Sequence, residues 1–155
     1  MIVIERFRHV GIIVRNLDLM VDFYTQMLGL TLKRTFEVSS EGFGKGVGIP
    51  GAKARGAHIM DAAGQVELEL LEFTNHSTEV PTPVTVATSA SGYRHIAFIV
   101  DDLQKSYERL KTKGAEFLSE PVTMTTPENI AGFSFVYFRD PEGNIIELNR
   151  LPEGA

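Results

Sequence analysis

Two segments of the chain carry the same pattern of apolar and polar positions. Residues 8–17 read RHVGIIVRNL and residues 94–103 read RHIAFIVDDL, with arginine, histidine, valine and leucine at matching places. The alternation of side chains predicts a strand in each segment. Each strand leads into a stretch with apolar residues at helical spacing, which starts at Leu17 in the first copy and at Leu103 in the second. The pattern therefore predicts a strand and a helix that occur twice.

Both predicted helices carry end signals. Asn16 and Asp102 stand where the N-cap belongs, since their side chains can accept hydrogen bonds from the first free backbone N–H groups. Gly29 and Gly114 stand where each helix should end, because glycine adopts the left-handed conformation that often follows a last helical turn.

Three further strands are predicted after each helix. The predicted strands lie near residues 6–14, 31–38, 57–61 and 66–73 in the first half and near 93–100, 115–119, 133–139 and 144–149 in the second. Residues 140–144, which read DPEGN, predict a tight turn that joins the last two strands into a hairpin. These elements predict an α+β fold of two strand–helix–three-strand modules with pseudo-twofold symmetry.

Two segments interrupt the repeat. Residues 41–56 are rich in glycine and predict a flexible loop that only the first half contains. Residues 74–92 are rich in serine, threonine and proline and predict a linker between the modules. We therefore expect one domain over residues 1–155, with modules at about 6–73 and 93–150.

Strand parity places four polar side chains on the concave side of a curved sheet. His9 and His95 face away from the bulky branched residues of their strands, and Glu69 and Glu147 face away from the leucines of theirs. Carboxylates buried there without partners would cost several kcal/mol, by order of magnitude. A positive group should therefore lie between them. Arginine would serve, but a divalent ion is more apt, because imidazole and carboxylate suit Zn, Ni, Co, Mn or Fe.

Other residues in the first half compete for these roles. Glu67 shares its face with Glu69 and is the main alternative in register. We favour Glu69 because Glu69-Leu70 matches Glu147-Leu148, with apolar residues before both. His58 and His76 have no counterpart in the second half, so we interpret His58 as a strand residue and His76 as a linker residue.

Composition narrows the class of partner. The 155 residues carry a net charge of −5, which disfavours binding to nucleic acid or to an anionic membrane surface. There is no cysteine, which excludes disulfides and thiolate chemistry. No apolar run is long enough to span a bilayer and no secretory signal is visible, so we expect a cytoplasmic protein.

Three segments together resemble the vicinal oxygen chelate superfamily, which includes glyoxalase I, methylmalonyl-CoA epimerase, extradiol dioxygenases and bleomycin-binding proteins. They are residues 8–14 with the following Phe-Tyr and Leu-Gly-Leu, residues 93–103, and residues 138–148, which read FRDPEGNIIEL. The resemblance covers about residues 6–150. It implies paired βαβββ modules in a curved, barrel-like mixed sheet around a metal cavity.

By the same resemblance, His9, Glu69, His95 and Glu147 are four ligands of one divalent ion. This ligand set is most similar to that of glyoxalase I. It implies a lyase or isomerase that stabilises an enediolate on a small substrate with neighbouring oxygen atoms, with Glu147, Glu69 or a metal-bound hydroxide as the base. A ring-cleaving dioxygenase and a non-catalytic drug- or metabolite-binding protein are the alternatives. Family members usually dimerise, so we also expect a homodimer.

Overall fold

The computed structural model describes residues 4–64, 67–78, 92–152 and 154. The chain divides into two compact units, residues 1–80 (the first unit) and 81–155 (the second unit). The described strands form one mixed sheet in each unit, which confirms the α+β prediction. Neither of the two described sheets closes into a barrel by itself.

The first unit contains four strands in the order β1-β4-β3-β2. Its elements are β1 (Val10–Ile13), α1 (Leu17–Asp22), a π-helical turn (Phe23–Met27), β2 (Thr31–Val38), α2 (Glu41–Gly46), β3 (Ala54–Met60) and β4 (Glu67–Phe73). Strand β1 runs parallel to β4, and the other two pairs are antiparallel. A parallel pair needs a long connection, and here that connection contains the helices and the β2–β3 hairpin.

Helix α1 and the π-helical turn that continues it form one helical segment, which begins and ends as the sequence predicted. Asn16 Oδ1 accepts a hydrogen bond from the Leu19 amide at 3.1 Å. The Leu17 amide donates to Glu72 Oε2 at 2.7 Å, which ties the helix start to β4. Gly29 adopts a φ of 75° after the last turn, a conformation that glycine reaches without steric cost. The buried face of this helix carries Met20, Phe23 and Tyr24, which pack into the core.

The second unit repeats this plan. Its elements are β5 (His95–Ile99), α3 (Leu103–Thr112), β6 (Glu116–Phe117), β7 (Val122–Thr123), a 3₁₀ turn (Glu128–Ile130), β8 (Ser134–Arg139) and β9 (Ile145–Arg150). The sheet order is β5-β9-β8-β6, with β7 also paired to β8, and β5 runs parallel to β9 as β1 does to β4. In its core, the Tyr107 ring packs edge-on against Phe117, and the Phe117 ring is tilted against Phe138.

The prediction of a flexible loop over residues 41–56 is wrong. Helix α2 forms there, with Ser40 Oγ accepting from the Phe43 amide at 3.1 Å, and β3 begins as early as Ala54. Gly44 is buried where an added Cβ would lie 2.9 Å from both the Ile49 carbonyl oxygen and the Gly51 nitrogen. Its lack of a side chain therefore permits close backbone packing, which periodicity does not detect.

The hairpin prediction is confirmed, and one strand was missed. Asp140 accepts hydrogen bonds from the amides of Glu142 and Asn144, both at 2.9 Å, and Gly143 takes a φ of 89°. Strand β7 is an additional element, so four strands rather than three follow α3. Most of the predicted linker, residues 79–91, lies outside the described residues, as does residue 66 of the fourth predicted strand. In the part of the chain that is described, no helix is long and apolar enough to cross a membrane.

Candidate functional site

The structure brings together the histidine and the glutamate predicted in the first unit. His9 directly precedes β1, and Glu69 lies in β4 with its Cα opposite Gly11 in the parallel ladder. His9 Nε2 is 3.6 Å from Glu69 Oε2. Their side chains are 35% and 26% exposed, so the pair is open to solvent on one side. His9 and Glu69 therefore lie on the same face of the first sheet.

The second unit forms the equivalent pair. His95 begins β5, and Glu147 lies in β9 opposite Ala97. In both units the histidine therefore stands two residues before the residue that faces the glutamate. His95 Nε2 is 3.2 Å from Glu147 Oε2. The carboxylate of Glu147 is nearly buried, whereas the His95 ring is 41% exposed.

Within each unit, the distance between the histidine and the glutamate is close to that between two ligands of the same ion. Two donor atoms that each lie about 2.1 Å from a metal, at angles of about 90–110°, are about 3.0–3.4 Å apart. The separations of 3.2 Å and 3.6 Å are near this range. Within the described residues, however, no group of three or more histidine, aspartate or glutamate side chains is placed to hold a metal ion. Each unit taken alone thus offers one histidine–glutamate pair as possible metal ligands.

His58 lies beside the first pair, which the sequence reasoning missed. It is a strand residue, as interpreted, but β3 places it directly opposite Glu69 in the antiparallel ladder. His58 Nε2 is 3.2 Å from Glu69 Oε1, and the residue is only 3% exposed. If the strands predicted at 57–61 and 66–73 pair antiparallel, with residue 61 opposite residue 66, then His58 stands opposite Glu69. His76, by contrast, is exposed in the segment that follows β4.

Glu67, the alternative ligand, is already surrounded by positive groups. Its side chain is buried, with Arg8 Nη1 at 2.6 Å, Lys33 Nζ at 3.4 Å and the Nδ1 atom of His58 in contact. Burial raises the pKa of Glu67, but the hydrogen bond from Arg8 and the charges of His58, Arg8 and Lys33 outweigh it and lower the pKa to about 2. This carboxylate therefore remains ionised within an ion-pair cluster.

A tyrosine occupies the corresponding position in the second unit. Tyr137 in β8 lies opposite Glu147, as His58 lies opposite Glu69. Its ring packs edge-on against His95, with the centroids 5.4 Å apart. Burial raises the pKa of Tyr137, and so do the charge of Glu147 and a hydrogen bond with it. When the side-chain amide of Asn149 is oriented so that its nitrogen faces hydrogen-bond acceptors, this nitrogen donates a hydrogen bond to Glu147 Oε1 at 2.8 Å.

The chain is similar to known proteins over nearly its whole length. The family model described as Glyoxalase/Bleomycin resistance protein/Dioxygenase superfamily matches residues 6–148. The uncharacterized protein YwbC of Bacillus subtilis is 27% identical over 151 residues, which are 93% of this chain and 96% of that protein. A 2-epi-5-epi-valiolone epimerase from an Actinomyces species is 29% identical over 150 residues, 95% of this chain and 80% of that protein. A solved glyoxalase family protein from Bacillus cereus is 26% identical with a TM-score of 0.82, covering 96% of this chain and 95% of that chain.

Proposed function

The chain belongs to the glyoxalase/bleomycin resistance protein/dioxygenase superfamily, and on this basis we propose that it is a divalent-metal-dependent lyase or isomerase. It moves a proton on a small substrate that carries two neighbouring oxygen atoms. The two units act as one domain in this proposal. His9, Glu69, His95 and Glu147 hold the ion, which is Zn, Ni, Co, Mn or Fe.

One observation carries the proposal: the same histidine–glutamate pair occurs at the same register in both units. A chance pair of polar side chains has no reason to recur at matched positions with similar N–O separations of 3.6 Å and 3.2 Å. The chemistry of the donors agrees, since imidazole nitrogen and carboxylate oxygen are common ligands of divalent transition ions. Glu67 is the less suitable ligand because Arg8 and Lys33 already neutralise it.

The roles of the residues follow from their surroundings. A bound divalent ion supplies Lewis-acid stabilisation of negative charge on the substrate oxygens. His9 and His95 serve only as donors to the ion. Glu147 takes the proton from the carbon next to the substrate carbonyl and returns it, with Glu69 as the alternative base. The buried position of Glu147 on β9 holds its backbone firmly while its carboxylate faces His95.

Two features favour proton transfer over oxygen chemistry. The donor set contains a second carboxylate, Glu69, in addition to two histidines and Glu147, and a three-ligand dioxygenase site would not require it. The similarity to an epimerase, 29% identical over most of this chain, also points to removal and return of a proton. Both features bear on the class of reaction and leave the particular substrate open.

The class of reaction can be tested by isotope exchange. The metal-loaded protein is incubated in D₂O with a panel of hemithioacetals, 2-oxo acids, thioesters and cyclic ketoses, and deuterium at the α-carbon is followed by NMR. We expect exchange with at least one class, and none after the metal is removed. Oxygen uptake with catechols and no exchange would indicate a dioxygenase instead. Saturable binding of a small molecule with neither reaction would indicate a binding protein.

We also propose that the protein is a cytoplasmic homodimer. The described strands β1 and β5 each lie at the edge of their sheet, and an edge strand favours further pairing. Exposed apolar residues lie at matching places of the repeat, Phe7 with Tyr93 and Ile13 with Ile99. Burial of such side chains favours association. Light scattering at micromolar concentration should give twice the chain mass of 17.1 kDa, and a monomer would contradict this proposal.

A further inference from the structure

The carboxylate of Glu69 has a different neighbour at each of its two oxygens. Oε2 is 3.6 Å from His9 Nε2, and Oε1 is 3.2 Å from His58 Nε2. His9 belongs to the repeated pair, whereas His58 has no histidine counterpart in the second unit, where Tyr137 stands at the same register. In this arrangement Oε2 of Glu69 faces the proposed ion, whereas Oε1 faces the interior of the first unit.

The backbone of the sheet fixes this contact. His58 and Glu69 are direct partners in the antiparallel β3–β4 ladder, where opposed side chains stand about 4.5–5.5 Å apart at Cβ. The His58 ring also packs edge-on against Phe36 of β2, with the centroids 5.1 Å apart. With 3% of its surface exposed, His58 has little room to take another rotamer.

A second carboxylate holds His58 from the other side. The Nδ1 atom of His58 contacts Glu67, which Arg8 and Lys33 in turn hold at 2.6 Å and 3.4 Å. A histidine ring with a carboxylate beside each of its nitrogens has little freedom to turn. The line of contacts therefore runs from Arg8 and Lys33 through Glu67 and His58 to Glu69, and it ends at the oxygen that does not face His9.

We propose that His58, held by Glu67, is a positioning residue for Glu69, so that Glu69 offers only Oε2 to the ion. This inference rests on the proposed function. Partners behind a metal ligand commonly contribute 10–100-fold in metal affinity, because they orient the ligand before the ion arrives. Without His58 the Glu69 carboxylate is free to turn and to bind the ion with both oxygens.

The test is Co²⁺ binding by the purified full chain, measured as a dissociation constant and as the visible absorption spectrum of the bound ion. His58→Phe keeps a ring and removes both nitrogens. His58→Gln restores an amide nitrogen near the place of Nε2. His76→Phe is the matched control, since His76 is an exposed histidine of the same unit. Melting of the metal-free proteins measures any purely structural effect.

We expect His58→Phe to weaken Co²⁺ binding about 10–100-fold and to lower the visible absorption, as a two-oxygen carboxylate raises the coordination number. His58→Gln should recover most of the affinity, and His76→Phe should match the wild type. A folded His58→Phe variant that binds within about threefold of wild type, with the same spectrum, would overturn the positioning role alone. A wild type that binds no Co²⁺ would overturn the proposed function and this inference with it.

Should His58→Phe fail to fold, Glu67→Gln decides the question. It keeps the shape of the side chain and removes the charge that contacts His58. We expect a several-fold loss of Co²⁺ affinity with a native circular dichroism spectrum. Unchanged affinity and an unchanged Co²⁺ spectrum in that variant would overturn the proposal.

Discussion

The two units hold equivalent histidine–glutamate pairs in different surroundings. In the first unit the carboxylate of Glu69 is backed by the buried His58 ring and, behind it, by the ionised carboxylate of Glu67. In the second unit the carboxylate of Glu147 is backed by neutral groups, the Tyr137 hydroxyl and the Asn149 amide. The repeat therefore preserves the backbone register of the pair and leaves the neighbouring strand free to differ.

On the basis of this difference we propose a division of labour between the two carboxylates. Glu69 has a histidine beside each carboxylate oxygen, and we assign it the role of a ligand that stays on the ion. Glu147 is nearly buried beside two neutral hydrogen-bond donors, the Tyr137 hydroxyl and the Asn149 amide, and we assign it the role of base.

Removal of one histidine should have the largest effect. We expect His95→Ala to lose the bound ion, because the loss of one of four ligands typically destroys the affinity of a metal site. Elemental analysis after reconstitution and desalting measures this, with His76→Ala as the control that keeps the ion. Metal retained in full by His95→Ala would mean that the second unit does not contribute to the site.

Conversion of Glu147 to glutamine should separate binding from turnover. The amide keeps an oxygen for the ion but loses the basicity, so we expect most of the metal to remain and turnover to fall by at least about a hundredfold. The same change at Glu69 should reduce turnover less if the division of labour holds. Turnover within a few fold of wild type for Glu147→Gln, measured on the substrate found by exchange, would transfer the role of base to Glu69.

An alanine at Gly56 should disturb the packing behind the first pair. An added Cβ would lie 2.4 Å from Cζ of Phe36, the ring that packs on His58, and 2.8 Å from the Leu70 carbonyl oxygen. We expect a loss of about 2–3 kcal/mol in the free energy of unfolding, measured in urea. Gly46→Ala is the control, because nothing lies within 4 Å of its Cβ position and the residue is helical. Equal stability of both variants would show that the Phe36–His58 packing is loose.

A change in the second hairpin should have a smaller effect. Asp140 is 4% exposed and accepts from two backbone amides in the turn before β9. Asp140→Ala should lower the free energy of unfolding by about 1–2 kcal/mol, because it leaves those donors without an acceptor. Asp140→Asn keeps one oxygen and should lose less. An alanine variant as stable as wild type would show that water replaces the carboxylate freely.

The sequence allowed both pairs to be predicted because each depends on a single repeated register. A histidine at the start of one strand and a glutamate in its parallel partner meet wherever the spacing is kept, as Gly11 with Glu69 and Ala97 with Glu147 show. His58 could not be found in this way, since it has no histidine counterpart and meets Glu69 only through the β3–β4 register. Helix α2 was missed because its glycines indicate a loop, while the Ser40 cap and the buried packing of Gly44 determine the outcome.

We propose that the two pairs hold one ion together, and the number of ions bound per chain tests this proposal. Native mass spectrometry of the protein titrated with Co²⁺ gives this number without a substrate. We expect one ion per chain, and we expect it to be lost when either His9 or His95 is changed to alanine. If two ions bind per chain and each is lost when only one of these histidines is replaced, each unit binds metal alone. That result would contradict the proposal of one shared ion.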